Sequence, residues 1–186
     1  MTSRRQLGVV GFVVVLAIAL IAAGKVLLKD ELKPVGVGVD APPFSALTLD
    51  SIPKSKTLDD YRGQVVMINI WATWCAPCRV EMPAIESLQK EYAGKGLKII
   101  AVSVDDPGTD AAIRTFVKQY GLSFEVLHDP GGQDGKISRD YQTTGYPETV
   151  IIGRDGIIRK KLLGAHDWNS AENRGLIDRL LAEKAE

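Results

Sequence analysis

"VVMINIWATWCAPCRVEMP", Val65 to Pro83, contains both cysteines of the chain, Cys75 and Cys78, two residues apart with Pro77 between them. Its opening, "VVMINIW" (65–71), is a continuous apolar run of the length expected for a central strand buried on both faces. The residues after it, with Val80, Ile85, Leu88 and Tyr92 as apolar positions, read as a helix ending at Gly94 or Gly96. The pair therefore stands where a buried strand turns into a helix.

That placement has chemical consequences. A thiol at a helix start meets unsatisfied backbone N–H groups and the positive end of the helix dipole, so its thiolate is stabilised. Free cysteine titrates near about 8.5, and Cys-x-x-Cys motifs lower this to roughly 3.5 to 7.5. Cys75 is thus the expected nucleophile, and Cys78, one turn further in, is placed to attack a mixed disulfide. Pro77 stiffens the loop and is tolerated early in a helix. Other uses of the pair fail on counting. Zinc needs about four ligands, and beyond the cysteines only His128 and His166, far apart in sequence, could join. Covalent haem needs histidine after the second cysteine, where Arg79 stands. A structural bridge across so short a loop adds little stability. Redox exchange is favoured, and no cofactor or metal is expected.

Outward from the pair, "LKIIAVSVD" (97–105) reads as a second buried strand. Asp106–Gly121 reads as a helix with Ile113, Phe116, Val117 and Tyr120 on one stripe. "SFEVLHD" is a third strand and "GKISRDYQ" a short helix. "ETVIIG" and "IIRKKLLG" flank the turn signal Arg154-Asp155-Gly156 and form a hairpin. From about Asn169 an amphipathic helix turns Leu176, Ile177, Leu180 and Leu181 inward. Upstream, "DAPPFSALTLD" reads as an edge strand or lead-in. The glycine-rich "DPGGQDGK" matches neither a phosphate loop nor a calcium loop and is a turn. The alternation predicts an α/β domain, a mixed sheet with helices on both faces.

Basic and acidic residues balance at 23 each, without a long run of either sign, which argues against a nucleic-acid partner. The N-terminus is different material. "LGVVGFVVVLAIALIAAG", Leu7 to Gly24, carries no charge and as a helix would reach about 27 Å, close to the hydrocarbon thickness of a bilayer. Arg4 and Arg5 precede it and Ala22-Ala23-Gly24 offers a cut site, as in a signal peptide. The apolar stretch is longer than such signals use, so an uncleaved anchor is the preferred reading. Lysines on its far side leave the positive-inside count undecided, so compartment must come from the chemistry. The expected organisation is an anchor over 1–28, a tether over 29–38 and one domain over 39–186.

"WATWCAPC" together with "TGYPET" (144–149) resembles the thioredoxin superfamily. With the "GVDAPPF" lead-in, the "NIWATWCAPCRVEMP" site and an extra helix and strand at about 107–128, the chain is most similar to the TlpA/ResA/CcmG-like membrane-anchored thioredoxins, over about residues 36–182. The resemblance implies a thioredoxin-like fold with a helix–strand insertion. It also implies a catalytic domain on the extracytoplasmic side of the cell's inner membrane, a single-pass anchor, and reduction of disulfides in client proteins. In the best-known branch the clients are apocytochromes c, and a membrane dithiol donor supplies the electrons.

Residue by residue, the resemblance makes Cys75 the attacking thiol and Cys78 the resolving one. Pro147 becomes the proline after a cis peptide bond, with Tyr146 presenting backbone to the client, and Pro83 the kink proline of the helix. Trp74 and Pro77 complete the client-binding surface. Asn69 stands where cytosolic thioredoxins carry a buried, proton-transferring aspartate, so that role must move. Glu81, three residues after Cys78 on the same helix face, is the candidate. As the alternative, Glu81 is an exposed acid that favours the helix N-terminus. Three other functions remain as contrasts. One is general extracytoplasmic disulfide exchange. Another is a peroxiredoxin-type peroxidase, which wants threonine where Ala72 stands. The third is a copper-delivery module, against which Pro77 argues.

Overall fold

The computed structural model describes residues 4–27 and 34–183. The chain divides after Pro34 into two units. In the first, α1 spans Arg4–Leu27. Its described side chains are those of Gln6 and residues 8–23, and the large apolar ones among them are exposed. Among the described residues no helix is long and apolar enough to cross a membrane. The ends of the expected anchor, and residues 29–33 of the expected tether, lie outside the described residues.

The second unit begins at Val35. The lead-in is already tied down there. Val35 N–H donates to Gln142 Oε1, and Gly38 and Ala41 donate to backbone carbonyls of Ile158 and Gly156.

Seven strands form one sheet in the order β2-β1-β5-β4-β3-β6-β7. They are β1 (Ser45–Thr48), β2 (Ser55–Thr57), β3 (Val65–Trp71), β4 (Leu97–Ser103), β5 (Glu125–His128), β6 (Glu148–Ile152) and β7 (Ile158–Leu163). The helices are α2 (Ala76–Tyr92), α3 (Asp110–Tyr120), α4 (Lys136–Asp140) and α5 (Ala171–Ala182). β3 is buried throughout, runs parallel to β4 and antiparallel to β6. Its apolar run is thus explained by neighbours on both edges and packing on both faces. β6 and β7 form the expected hairpin. The mixed α/β sheet is as read from the sequence.

Two details differ, and a third adds to the reading. "SALT" is not an edge strand: β1 pairs β2 on one side and β5 on the other. The edge belongs to β2, whose "SKT" has no apolar alternation to announce it. Second, Val80 is 76% exposed rather than inward. Helix α2 buries Cys78, Met82, Ile85, Leu88 and Tyr92, a 3.6-residue stripe to which Val80 is out of phase. Third, the glycine-rich turn is built around a buried carboxylate. Asp129 accepts from the N–H groups of Gly131 and Ile137, so it caps α4, and a Cβ on Gly135 would collide with its carboxylate.

The extra segment forms α3 and β5. β5 lies between β4, to which it is parallel, and β1. Phe116 of α3 packs its ring 4.7 Å from that of Trp71, at the end of β3. The insertion therefore rests against the strand that delivers the cysteines.

Candidate active site

β3 ends at Trp71, and the chain reaches α2 through Ala72, Thr73 and Trp74. Cys75 is the N-cap of α2, where its Sγ accepts from Cys78 N–H at 3.2 Å. Pro77 lies in the first turn, where a missing N–H leaves no helical bond unmade. The two cysteines are joined as a disulfide, their Cα atoms 5.3 Å apart. Cys75 is 4% exposed and Cys78 fully buried. The pair is thus asymmetric, with a little of Cys75 and none of Cys78 reaching the surface. The same N–H donor and helix end that face Cys75 Sγ here would stabilise its thiolate after reduction.

Pro147 follows a cis peptide bond from Tyr146 and is buried at the start of β6. Because β6 is antiparallel to β3, with Glu148 opposite Ile70, this loop lies at the same sheet end as the cysteines. Trp74, 51% exposed, sets its ring edge-on to Tyr146 with centroids 6.0 Å apart. The Tyr146 hydroxyl shares a hydrogen bond with Ser138 Oγ at 2.9 Å and donates to the Gln133 carbonyl at 3.3 Å. The Trp74–Tyr146 contact thus sets the segment leading into Cys75 against the loop that precedes Pro147, and Pro77 is exposed in the first turn of α2. Pro83 lies inside α2, further along an unbroken helix.

Glu81 is buried, at 2% exposure, not on the helix surface. Its Oε1 accepts from Asn69 Nδ2 at 2.7 Å, and its Oε2 accepts from His166 N–H at 3.2 Å and the Trp168 indole N–H at 3.4 Å. Burial pushes the Glu81 carboxyl above the ordinary carboxylate range, and these donors oppose the shift without cancelling it. Asn69 does not titrate, but it orients the group that can, and its second amide hydrogen goes to Thr149 Oγ1 at 2.9 Å. Sequence reading placed Asn69 and Glu81 in one argument but missed Thr149 and the two donors from residues 166–168. These come from distant segments with no spacing relation to α2.

A second buried acid, Glu148, follows Pro147 directly. Desolvation raises its pKa, opposed by the Lys161 ammonium 3.5 Å away. The signal that could have found it was a charged residue opening a fully buried strand. Among the described residues there is no group of three potential metal ligands.

A dithiol–disulfide pair at a strand-to-helix junction, a cis-proline loop beside it and a buried acid in the same helix define a thiol-disulfide oxidoreductase of thioredoxin-like fold. The chain belongs to the AhpC/TSA family, whose model matches residues 37–161. It is 42% identical over 130 residues to the thioredoxin-like protein YneN of Bacillus subtilis, a match covering 68% of this chain and 72% of that protein. It is 38% identical over 140 residues to the thiol-disulfide oxidoreductase ResA of Oceanobacillus iheyensis, covering 74% and 70% respectively. Among solved structures, one from Chlorobium tepidum assigned as a thiol:disulfide interchange protein DsbE superposes with a TM-score of 0.69 at 28% identity, covering 80% of this chain and 99% of that one.

Proposed function

We propose that this oxidoreductase works reductively on client proteins outside the cytoplasm, held at the inner membrane by its N-terminal segment. The observation that carries the exchange reading is the buried Glu81 carboxyl, on the helix face of Cys78, and the resemblance to the TlpA/ResA/CcmG-like group supports the reductive direction. The Cys75 thiolate attacks a client disulfide, forming a mixed disulfide and expelling one client thiolate. Cys78 must then lose its proton to attack Cys75 Sγ, which releases the second client thiolate and leaves the Cys75–Cys78 disulfide. Two electrons pass to the client. Cys78 is buried among apolar groups, which disfavours its thiolate. A neighbouring carboxylate with raised proton affinity is suited to take that proton.

Trp74, Pro77, Tyr146 and Pro147 supply the surface on which an extended client segment would lie. Repeated turnover requires re-reduction, and a membrane dithiol donor is the fitting source. The uncharged run Leu7–Gly24 supports the anchor, and the resemblance to the TlpA/ResA/CcmG-like group supports apocytochromes c as clients. A peroxide substrate fits less well, because Ala72 stands where a peroxidatic site wants threonine.

The compartment is tested by fusing a phosphatase or a green fluorescent reporter, in turn, to the C-terminus in a bacterial host. Phosphatase activity without fluorescence is expected. Fluorescence without phosphatase activity would place the domain in the cytoplasm and end the cytochrome reading.

A further inference from the structure

The segment leading into Cys75 is gripped by a carboxylate that has no part in the exchange steps above. β3 and β4 are parallel neighbours, so the loops that follow them leave the sheet side by side. From the second loop, Asp105 reaches across to the first. Its Oδ2 accepts from Thr73 N–H at 2.9 Å and its Oδ1 from Thr73 Oγ1 at 2.5 Å. Ser103 Oγ donates to Oδ2 at 2.6 Å. Asp105 is 3% exposed, and neutral donors rather than a cation hold its carboxylate.

The other side of Asp105 faces the insertion. His128, the last residue of β5, bonds through Nε2 to the Asp105 carbonyl at 3.0 Å and through Nδ1 to Asp110 Oδ1 at 2.8 Å. Asp110 opens α3, and Asp129 N–H, next in chain after His128, donates to the Ser103 carbonyl. A continuous set of hydrogen bonds thus runs from both ends of the insertion, through Asp105, to Thr73. The next two residues are Trp74, against the Tyr146 ring, and Cys75.

We infer that Asp105 is a positioning residue for disulfide exchange: through Thr73 it fixes the Trp74–Cys75 segment against the Tyr146–Pro147 loop, and through His128 it couples that segment to the inserted α3–β5 element. The physical reason is the geometry of the reaction. Attack on a disulfide needs the sulfur in line with the scissile bond, and a displacement of about 1 Å can cost up to about a hundredfold in rate. Neither thiol supplies that constraint from its N-terminal side. Beyond the turn bond from Cys75 N–H to the Ala72 carbonyl, the two-point grip on Thr73 is what holds the bridge from β3 to α2. The inference rests on the thiol-exchange activity of the pair.

Four full-chain variants test it: Thr73→Val, Thr73→Ser, Asp105→Asn and, as a stability control, Arg154→Met. Arg154 bonds the Gly63 and Leu181 carbonyls and follows β6, at the opposite end of the sheet from the cysteines. Each variant is reduced and assayed against a short peptide disulfide, with Cys75 alkylation and thermal unfolding followed in parallel. Thr73→Val and Asp105→Asn should slow exchange by about tenfold to a hundredfold. Thr73→Ser should restore most of the rate, and Arg154→Met should lose stability while exchanging at the parent rate. The inference is overturned if Thr73→Val and Asp105→Asn exchange like the parent, or if Arg154→Met slows as much as they do. An unsubstituted protein whose Cys75 alkylates like free cysteine would overturn the exchange reading itself, and is seen before any variant is compared.

Discussion

Replacing Glu81 by glutamine tests whether the buried acid serves the cysteine pair, and the structure sets sign and size. The carboxylate accepts from Asn69, the His166 N–H and the Trp168 indole. Glutamine keeps one acceptor oxygen and turns its amide hydrogens toward at least one of those donors. A buried donor left without an acceptor costs about 1–3 kcal/mol. Against that, glutamine carries no charge, so it avoids the desolvation that raises Glu81. The linkage follows from a folded-state pKa above the unfolded one. Between the two values the native state binds more protons, so stability linked to Glu81 is complete at low pH. It is lost as pH rises from the ordinary carboxylate range through the raised value, at up to about 1.4 kcal/mol per pH unit. The variant has no such slope. Its deficit in melting experiments should therefore be largest in acid and shrink toward neutrality. Over the same window the parent's exchange rate should show an inflection that the variant lacks. A deficit independent of pH, with an unaltered exchange profile, would refute a proton-handling role.

Two further outcomes follow from exposure at the site. In the reduced protein Cys75 should alkylate with a midpoint below that of free cysteine, about 8.5, and Cys78 at least about tenfold more slowly; mass spectrometry of singly labelled protein finding equal rates would count against the asymmetric pair. Trp74→Ala removes a half-exposed side chain, so client affinity should fall by about tenfold while stability drops by less than about 1.5 kcal/mol; titration against a client peptide that detects no loss would remove Trp74 from the docking surface.

The sheet and the reactive pair were legible because their signals are local. Two predominantly apolar runs gave β3 and β4, a turn tripeptide gave the β6–β7 hairpin, and the cysteines announced themselves by spacing. The signals that failed were those weaker than their neighbours or spread across the chain. A three-residue polar strand such as β2 has no periodicity to detect. Val80 looked like core by composition, and only helical phase relative to Cys78 and Met82 corrects it. Glu81 was found through the family resemblance, with its i+3 spacing from Cys78 in support, but neither can choose between a buried acid and an exposed one. That choice rests on Asn69, His166 and Trp168, which the fold alone assembles. The Asp105 grip on Thr73 was hidden for the same reason: parallel strands put the two loops together, and no pattern in either loop names the other.

The central claim is that Cys75 attacks and Cys78 resolves, and the mixed disulfide between protein and client tests it most directly. Cys78→Ser removes the exit from that intermediate, so a client should stay covalently bound to Cys75 and be recovered under non-reducing conditions. Cys75→Ser should trap far less, because Cys78 is fully buried while Cys75 keeps some exposure. Mass spectrometry then identifies the client: apocytochromes or a haem-ligation component support the maturation role, and assorted secreted proteins indicate a broad reductase. A folded Cys78→Ser protein that traps nothing, or a Cys75→Ser protein that traps as much, would contradict the account.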